Sequence, residues 1–207
     1  VAWRRFRVRR FRRCGRIPDL PIRSRVECEN RGVTITPSMR RLQTRRLVLR
    51  AQDVADAAVF HRLWTERDER VPAHRRIDAD GHPDVHDISA QIADSGDSSL
   101  LTVQRIATGD AIGYCGLVFG GAGVSDEPEL AFELAADTHN LGYATEAAEA
   151  VLAWSADAGF RRVWAGVWEW NLPSRRVLEK LGFVESGQER PCSVHGRNLL
   201  TVKDLRR

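Results

Sequence analysis

The sequence predicts a mixed α/β domain built on one sheet, and three neighbouring stretches carry that prediction. Residues 129–135 and 161–170 alternate apolar and polar side chains, which is the period-two pattern of a β-strand. A strand, a helix and a second strand in this order are typical of a domain whose helices pack on a sheet. The helix lies at 142–158, where one stripe at the helical period holds Ala144, Ala147, Ala148, Val151 and Leu152.

Weaker patterns complete the domain on both sides of this unit. A Thr108-Gly109-Asp110 turn between two strand-like runs predicts a hairpin, and Asp53 is a helix N-cap residue in front of an apolar stripe. The predicted order is β-α-α-β-β-β-α-β-α-β-β, with elements at 42–50, 53–64, 84–94, 100–107, 112–119, 129–135, 142–158, 161–170, 171–181, 183–189 and 198–204.

Residues 1–38 differ in composition from the rest and are interpreted as a separate extension. They hold eleven arginines and three acidic residues, a net charge of +8 in a chain of +4, so residues 39–207 carry −4. The lack of periodicity in this extension predicts disorder. We expect translation to start at Met39; the alternative is an arm that contacts nucleic acid or the ribosome. The basic pI gives no reason to expect nucleic acid on the 39–207 domain.

Composition also excludes several classes of protein. No run of about 18 apolar residues is present, so no membrane span is expected, and no apolar segment follows the basic N-terminus as it would in a signal peptide. The four cysteines are scattered without a CxxC pair, which favours a cytoplasmic protein with reduced thiols and no metal. His74, His82 and His86 are irregularly spaced in a polar stretch, which indicates a solvated loop.

The segment 139–145 has the features of an anion-binding turn. It links a strand to the start of the 142–158 helix, where free backbone N–H groups and the helix dipole attract negative charge. Gly142 permits a close approach of the backbone to a ligand, and Ala144 keeps the first turn small. This pattern suits a pyrophosphate, although ordinary strand-to-helix turns also use glycine.

Four segments of the chain resemble the GNAT superfamily of N-acetyltransferases, and within it the RimJ/RimL-like branch that acetylates ribosomal-protein N-termini. The resemblance covers residues 42–205. GYATEA and NLPSRRVLEKLGF stand in the family's order and at its spacing, and together they are highly specific. The matching segments are TRRLVLR at 44–50, ELAFEL at 129–134, LGYATEAAEAVLAWSADAGFRRV at 141–163 and NLPSRRVLEKLGF at 171–183.

The resemblance implies a fold, a co-substrate and the residues that bind it. The fold is a strongly twisted mixed sheet, flanked by helices, whose fourth and fifth strands (129–135 and 161–170) splay apart to admit acetyl-CoA. Asn171 would hydrogen-bond the cofactor arm, and a helix N-cap is its alternative role. The backbone of Leu134 and Ala135 would lie beside the pantetheine arm. The amides that would surround the pyrophosphate belong to His139, Asn140, Leu141, Gly142, Tyr143, Ala144 and Thr145.

Acetyl transfer to nitrogen needs a neutral amine, and two carboxylates are candidates for the base that takes its proton. Glu129 and Glu133 share one face of the 129–134 strand, and Glu129 matches a glutamate common in the resembled branch. We expect the base to be Glu129 rather than Glu133. The alternative is that both carboxylates belong to a solvated strand face.

Ser174 is the candidate for stabilising the departing thiolate. It falls on the inward stripe of the 171–181 helix, and the resemblance implies that its hydroxyl faces the coenzyme A sulfur. The alternative is a hydrogen bond from Ser174 to its own helix backbone. Leu178 stands where many superfamily members have a tyrosine, so no tyrosine proton donor is predicted. Cys115 and Cys192 lack the setting of a nucleophile, so direct transfer is expected.

We expect the acceptor to be a primary amine, the α-amino group of a protein or peptide. The alternatives are a small cation such as a polyamine or aminoglycoside, and a non-catalytic module that binds coenzyme A. Residues 66–90 would border the acceptor site by resemblance. Trp164, Trp168 and Trp170 share a strand face and are expected in the core or the cleft wall. The sequence is compatible with a monomer or a homodimer.

Overall fold

The computed structural model describes residues 39–95, 98–119, 127–193 and 195–205. These residues contain four α-helices and eight β-strands. The predicted extension at 1–38 lies outside the described residues. In chain order the elements are β1 (Arg41–Gln43), β2 (Leu47–Arg50), α1 (Ala57–Thr65), α2 (Val85–Asp94), β3 (Leu100–Arg105), β4 (Ala111–Val118), β5 (Glu129–Leu134), α3 (Tyr143–Asp157), β6 (Arg162–Trp168), α4 (Leu172–Lys180), β7 (Val184–Ser193) and β8 (Gly196–Asp204).

All eight strands belong to one sheet, in the order β1-β2-β3-β4-β5-β6-β8-β7. Neighbouring strands are antiparallel except β5 and β6, which are parallel. The mixed α/β fold predicted from the sequence is therefore confirmed. β5 and β6 pair at a single position, Glu129 with Trp164, and this short ladder is the splay that the resemblance implied.

The predicted strand at 42–50 is two strands joined by a turn. β1 and β2 pair with each other, and Leu42 lies opposite Leu49. Thr44 closes the turn, because its N–H donates to Leu47 O (2.9 Å) and its hydroxyl accepts from Leu47 N (3.0 Å). These local hydrogen bonds replace the pairing of a straight strand, so the chain bends back on itself. The splayed strands are consequently β5 and β6, not the fourth and fifth.

The helices pack on both faces of the sheet and divide the core in two. α3 and α4 cover one face, where Ala147, Ala148, Val151 and Leu152 of the predicted α3 stripe are buried and Ala144 is half-buried. α1 and α2 pack on the other face against β3, β4 and β5, where Phe60 meets Tyr114 edge-on with ring centroids 5.9 Å apart. Within the described ranges, none of the helices is long and apolar enough to cross a membrane.

β7 and β8 form a long hairpin at the edge of the sheet. β7 continues to Ser193, beyond the predicted strand at 183–189, and β8 begins at Gly196, before the predicted 198. β6 ends at Trp168, short of the predicted 170, because the Asn171 N–H turns back to bond Trp168 O (2.9 Å). This turn places the start of α4 directly at the end of β6.

Candidate functional site

The separation of β5 from β6 begins at a buried carboxylate. The Trp164 N–H donates to Pro128 O (2.9 Å), as in a parallel ladder. In a continued ladder the Gly166 N–H would donate to Leu130 O, because parallel strands exchange hydrogen bonds at every second residue. It donates instead to Glu129 Oε1 at 3.1 Å. The Glu129 carboxylate therefore ends the ladder, and beyond it lies an opening between β5 and β6 that we call the split.

Backbone groups of β5 face the split. The Ala135 N–H donates to Ile112 O on β4 (2.8 Å), so the even-numbered residues of β5 direct their N–H and C=O groups away from β4. Leu134 is one of these, and its carbonyl accepts a hydrogen bond from His139 Nε2 (2.8 Å). Leu134 thus faces the split, whereas the Ala135 N–H is held by β4. An extended ligand that carries amide groups can add to the sheet at this edge.

The turn at 139–145 presents backbone N–H groups at the surface. Asn140 and Gly142 have positive φ angles (62° and 81°), so the chain turns sharply into α3. The Glu146 N–H is the first to bond backward, to Gly142 O (3.1 Å). The N–H groups of residues 143–145 have no acceptor within the described chain. These groups and the helix dipole suit a phosphate oxygen, as the sequence predicted.

Arg46, which lies between β1 and β2, holds this turn in shape. Its Nη1 donates to Leu141 O (3.0 Å), and its guanidinium carbon lies 4.5 Å from the centre of the Tyr143 ring. Its Nε donates to Glu146 Oε2 (2.6 Å), and the Thr44 hydroxyl donates to the other oxygen (2.6 Å). Burial alone would raise the pKa of Glu146, but the hydrogen bonds from Thr44 and Arg46 lower it. Sequence reasoning missed these contacts, because Thr44 and Arg46 lie 102 and 100 residues before Glu146 in the chain.

The first turn of α4 lies at the end of the split and holds the predicted Asn171 and Ser174. Asn171 is the N-cap of α4, because its Oδ1 accepts from the Ser174 N–H (3.2 Å). The Ser174 hydroxyl is half-buried and makes no hydrogen bond within the described residues, so its alternative role of bonding its own helix is not seen. The hydroxyl is therefore available to a ligand.

The predicted candidate base Glu133 is tied to a loop and a buried tyrosine. Arg67, which follows α1, donates from Nε to Glu133 Oε1 (2.7 Å), and the Tyr114 hydroxyl donates to Oε2 (2.8 Å). Burial alone would raise the pKa of Glu133, but Arg67 outweighs it and holds the pKa below its usual value. Burial raises the pKa of Tyr114 well above its usual range. Glu133 is therefore an ion-paired carboxylate.

Glu129, the preferred candidate base, is also paired. Its side chain is 5% exposed, and it accepts from Arg190 on β7 as well as from the Gly166 N–H. The alternative of a solvated strand face is therefore wrong for this residue. Both of its oxygens are therefore engaged, Oε1 by the Gly166 N–H and Oε2 by the Arg190 guanidinium. A base role for Glu129 or Glu133 stays a prediction.

The three tryptophans on and just after β6 do not share one environment. Trp164 is buried and donates from Nε1 to Glu127 Oε2 (2.6 Å). Trp168 and Trp170 are half-buried and stack in parallel, with ring centroids 6.1 Å apart and 5° between the ring planes. The guanidinium carbon of Arg70 lies 4.3 Å from the centre of the Trp170 ring, so the loop after α1 reaches the end of β6. Trp164 is therefore a core residue, and a place for Trp168 and Trp170 in the cleft wall stays a prediction.

The polar histidine stretch contains a cluster that caps α2. His82 Nδ1 lies 2.7 Å from Asp87 Oδ2, and Asp84 accepts from the Asp87 N–H (2.8 Å). Potential ligand atoms of these three residues lie within 4.8 Å of one another. Because the two carboxylates accept the backbone N–H groups at the start of α2, helix capping accounts for the cluster.

Cys115 lies fully buried on β4, inside the core under α3. Burial raises the pKa of its thiol far above the usual value, so the thiol stays protonated and unreactive. This environment agrees with the expectation that Cys115 is not a nucleophile. The side chain of Cys192 lies outside the described part of the chain.

Comparison with known proteins identifies the family. Residues 46–184 match a family model described as an acetyltransferase (GNAT) domain. A comparison with curated proteins gave no match.

Solved structures share the fold. An acetyltransferase of the GNAT family from Bacillus anthracis is 20% identical, with a TM-score of 0.67 over 80% of this chain and 98% of that one. The ribosomal-protein-S5-alanine acetyltransferase from Vibrio fischeri is 18% identical, with a TM-score of 0.57 over 79% and 96%. The yncA protein of Salmonella typhimurium, solved with its cofactor acetyl-CoA, is 15% identical, with a TM-score of 0.60 over 78% and 95%.

The family model and the geometry agree. The model covers more than half of the chain, and its range includes the β5 edge, the 139–145 turn and the first turn of α4. The amides at the start of α3 and the backbone of β5 are the groups that a pyrophosphate and an amide-bearing arm require. The chain therefore belongs to the GNAT family of acetyltransferases, and its co-substrate is acetyl-CoA.

Proposed function

We propose that this acetyltransferase acts on the α-amino group of a protein or peptide, as the RimJ/RimL-like branch does. The observation that carries the proposal is the pairing of Glu129 and Glu133 with arginines. A polyamine or aminoglycoside carries several positive charges, and its binding requires carboxylates that are not already neutralised. A peptide N-terminus brings a single amine. The fold shared with a ribosomal-protein-S5-alanine acetyltransferase supports the same acceptor.

The pKa of the acceptor amine also supports an α-amino group over a lysine side chain. An α-amino group has a pKa near 8, so about a tenth of it is neutral at pH 7, whereas a lysine near 10.4 is neutral in only about four molecules in ten thousand. An enzyme whose two candidate bases are ion-paired suits the amine that already has a neutral fraction. In this proposal Glu129 and Glu133 fix the geometry of the site, and the proton of the amine leaves through water.

The residues around the split divide the remaining work. The backbone of Leu134 and the amides at 139–145 hold the co-substrate, and Asn171 shapes the start of α4 beside it. Bound acetyl-CoA supplies the acetyl group as a reactive thioester. The Ser174 hydroxyl, which has no acceptor among the residues that the structure describes, donates its hydrogen bond to the departing sulfur. A donor placed where negative charge develops lowers the barrier.

The test measures thiol release from acetyl-CoA by the full chain. Short peptides with free N-termini are compared with the same peptides blocked at the N-terminus, with polyamines and with aminoglycosides. We expect turnover with the free peptides only. Turnover with the small cations alone would replace the proposal with its alternative. No turnover with any amine, together with no thermal stabilisation by acetyl-CoA, would refute an active enzyme.

The same assay tests Ser174. We expect Ser174→Ala to lower kcat at least about tenfold, because general acid or hydrogen-bond assistance is lost, with acetyl-CoA affinity unchanged. Ser155→Ala is the matched control, since the Ser155 hydroxyl donates to Val151 O (2.7 Å) inside α3. A kcat for Ser174→Ala equal to that of the control would remove Ser174 from the reaction.

A further inference from the structure

Asn198 on β8 carries a buried carbonyl oxygen that makes no hydrogen bond within the part of the chain that the structure describes. The residue is 7% exposed, and its Oδ1 has no hydrogen-bond partner among the described residues. Leaving a buried acceptor unpaired costs stability, and native proteins rarely keep one unless a ligand or water completes it. The side chain is therefore a candidate for binding something that donates a hydrogen bond.

The unpaired oxygen lies where the split begins. Asn198 is opposite Trp168 on β6 and opposite Arg190 on β7, so the three residues lie side by side across the sheet. A Cβ atom at Gly166 would be 3.0 Å from each of three atoms: Asn198 Oδ1, Arg190 Nη1 and Glu129 Oε1. Gly166 is also the residue whose N–H ends the ladder on Glu129. Asn198 Oδ1 thus borders the point at which β5 and β6 separate.

Asn198 faces away from the elements that hold acetyl-CoA. Its neighbour Leu199 packs into the core beneath α3 and α4, and successive residues of a strand point to opposite faces. The amides at 139–145 belong to the start of α3, on the Leu199 side. A molecule that reaches Asn198 therefore comes from the opposite face of the sheet, the face of Trp168.

We propose that Asn198 binds the acceptor, with its Oδ1 accepting a hydrogen bond from an N–H of the reacting amine. This inference rests on the proposed function, because it needs an amine at the split. The amide oxygen is neutral, so it orients the amine without stabilising the ammonium form as a carboxylate would. The nearby Glu129 charge is balanced by Arg190. The amine keeps the lone pair that acetyl transfer requires.

The test replaces Asn198 with leucine, which has nearly the same shape and no hydrogen-bond acceptor. In the full chain we expect Asn198→Leu to lower kcat/KM for the peptide acceptor at least about tenfold, the loss of about one hydrogen bond. The dissociation constant for acetyl-CoA stays unchanged, and Tm stays the same or rises because an unpaired buried oxygen is removed. A purely structural asparagine would affect Tm and leave kcat/KM unchanged.

Thr201→Val is the matched control on the same strand. The Thr201 hydroxyl donates to Ala165 O (2.9 Å) and is buried, so its loss lowers Tm without changing kcat/KM. Wild-type kcat/KM in Asn198→Leu overturns the inference, and so does a weaker affinity for acetyl-CoA, which would make Asn198 a co-substrate contact.

Assays of the wild type on the same amines distinguish a failure of the Asn198 inference from a failure of the proposed function. If the wild type acetylates only small amines, the peptide proposal fails, and the ratio of variant to wild type is read on that amine. If the wild type is active on peptides and the variant equals it, the Asn198 inference alone fails. A wild type that is inactive on every amine overturns both.

Discussion

The two sides of the split present different chemical groups. On the side of α3, the groups available to a ligand are backbone amides of the 139–145 turn and the edge of β5. The opposite face is lined by side chains: Asn198, the stacked Trp168–Trp170 pair and two carboxylates that are already paired with arginines. A backbone site depends on φ and ψ and tolerates changes of side chain, whereas a side-chain site is sensitive to single substitutions.

This difference explains why the groups on the α3 side are easier to infer from the sequence than those on the opposite face. Residues with restricted backbone angles, such as Gly142, leave a mark that is read directly in the sequence. Ion pairs between distant elements leave no such mark in the sequence, because any arginine can neutralise any glutamate that the fold brings to it. We call the 139–145 turn and the edge of β5 the backbone half, and the side chains on the opposite face of the split the side-chain half. Single substitutions test whether the two halves can be disturbed separately.

The largest effect is expected for Glu133→Gln on the side-chain half. It leaves Arg67, whose side chain is 6% exposed, without a counter-charge, and we expect a loss of about 3 kcal/mol in the free energy of unfolding. Tyr114→Phe, which removes one hydrogen bond to the same carboxylate, is expected to cost about 1 kcal/mol. Denaturant unfolding measures both. Equal losses would show that the charge of Glu133 contributes nothing.

The same ion pair predicts a pH dependence. Because the folded protein holds the pKa of Glu133 below its usual value of about 4.3, its stabilisation is present above that pH and is lost as the pH falls through the folded pKa. The difference in unfolding free energy between wild type and Glu133→Gln should therefore be constant from neutral pH to about pH 5 and shrink below about pH 4. A difference that persists in strong acid would contradict the ionic origin.

A smaller effect is expected for Gly142→Ala on the backbone half. A residue with a Cβ at φ +81° is strained by about 1–2 kcal/mol, and that Cβ would lie 3.3 Å from Arg46 Nη2. We expect weaker acetyl-CoA binding, by about tenfold, in calorimetric titration. Gly81→Ala is the control, because Gly81 has φ +85° with nothing near its Cβ. It should lose similar stability and bind acetyl-CoA normally; equal affinity losses would place the effect in folding.

The smallest effect is expected for His139→Ala. His139 bonds Leu134 O through its side chain, but its proposed contact with the co-substrate is its backbone amide. We expect the dissociation constant for acetyl-CoA to change by less than about fivefold, which corresponds to the loss of one part-buried hydrogen bond. A loss as large as that in Gly142→Ala would show that the imidazole binds the co-substrate and would weaken the contrast between the two halves.

Much of the fold was predictable, because helical and strand periods are local. The α3 stripe, the hairpin between β3 and β4 and the turn before α3 follow from neighbouring residues alone. The errors occurred where a local hydrogen bond redirects the chain. Thr44 divides one predicted strand into two, and the Asn171 N–H ends β6 at Trp168.

The sequence by itself determined the mixed α/β class, the family and the sharp turn into α3, since these rest on short-range periodicity, a specific pair of motifs and glycine conformation. Only the tertiary structure decided what the side chains around the split do. Glu129 and Arg190 are 61 residues apart and Arg67 and Glu133 are 66 apart, so their pairing exists only after the strands and loops assemble. The unpaired Asn198 oxygen likewise reaches Gly166 through the β6–β8 register, which no local pattern encodes.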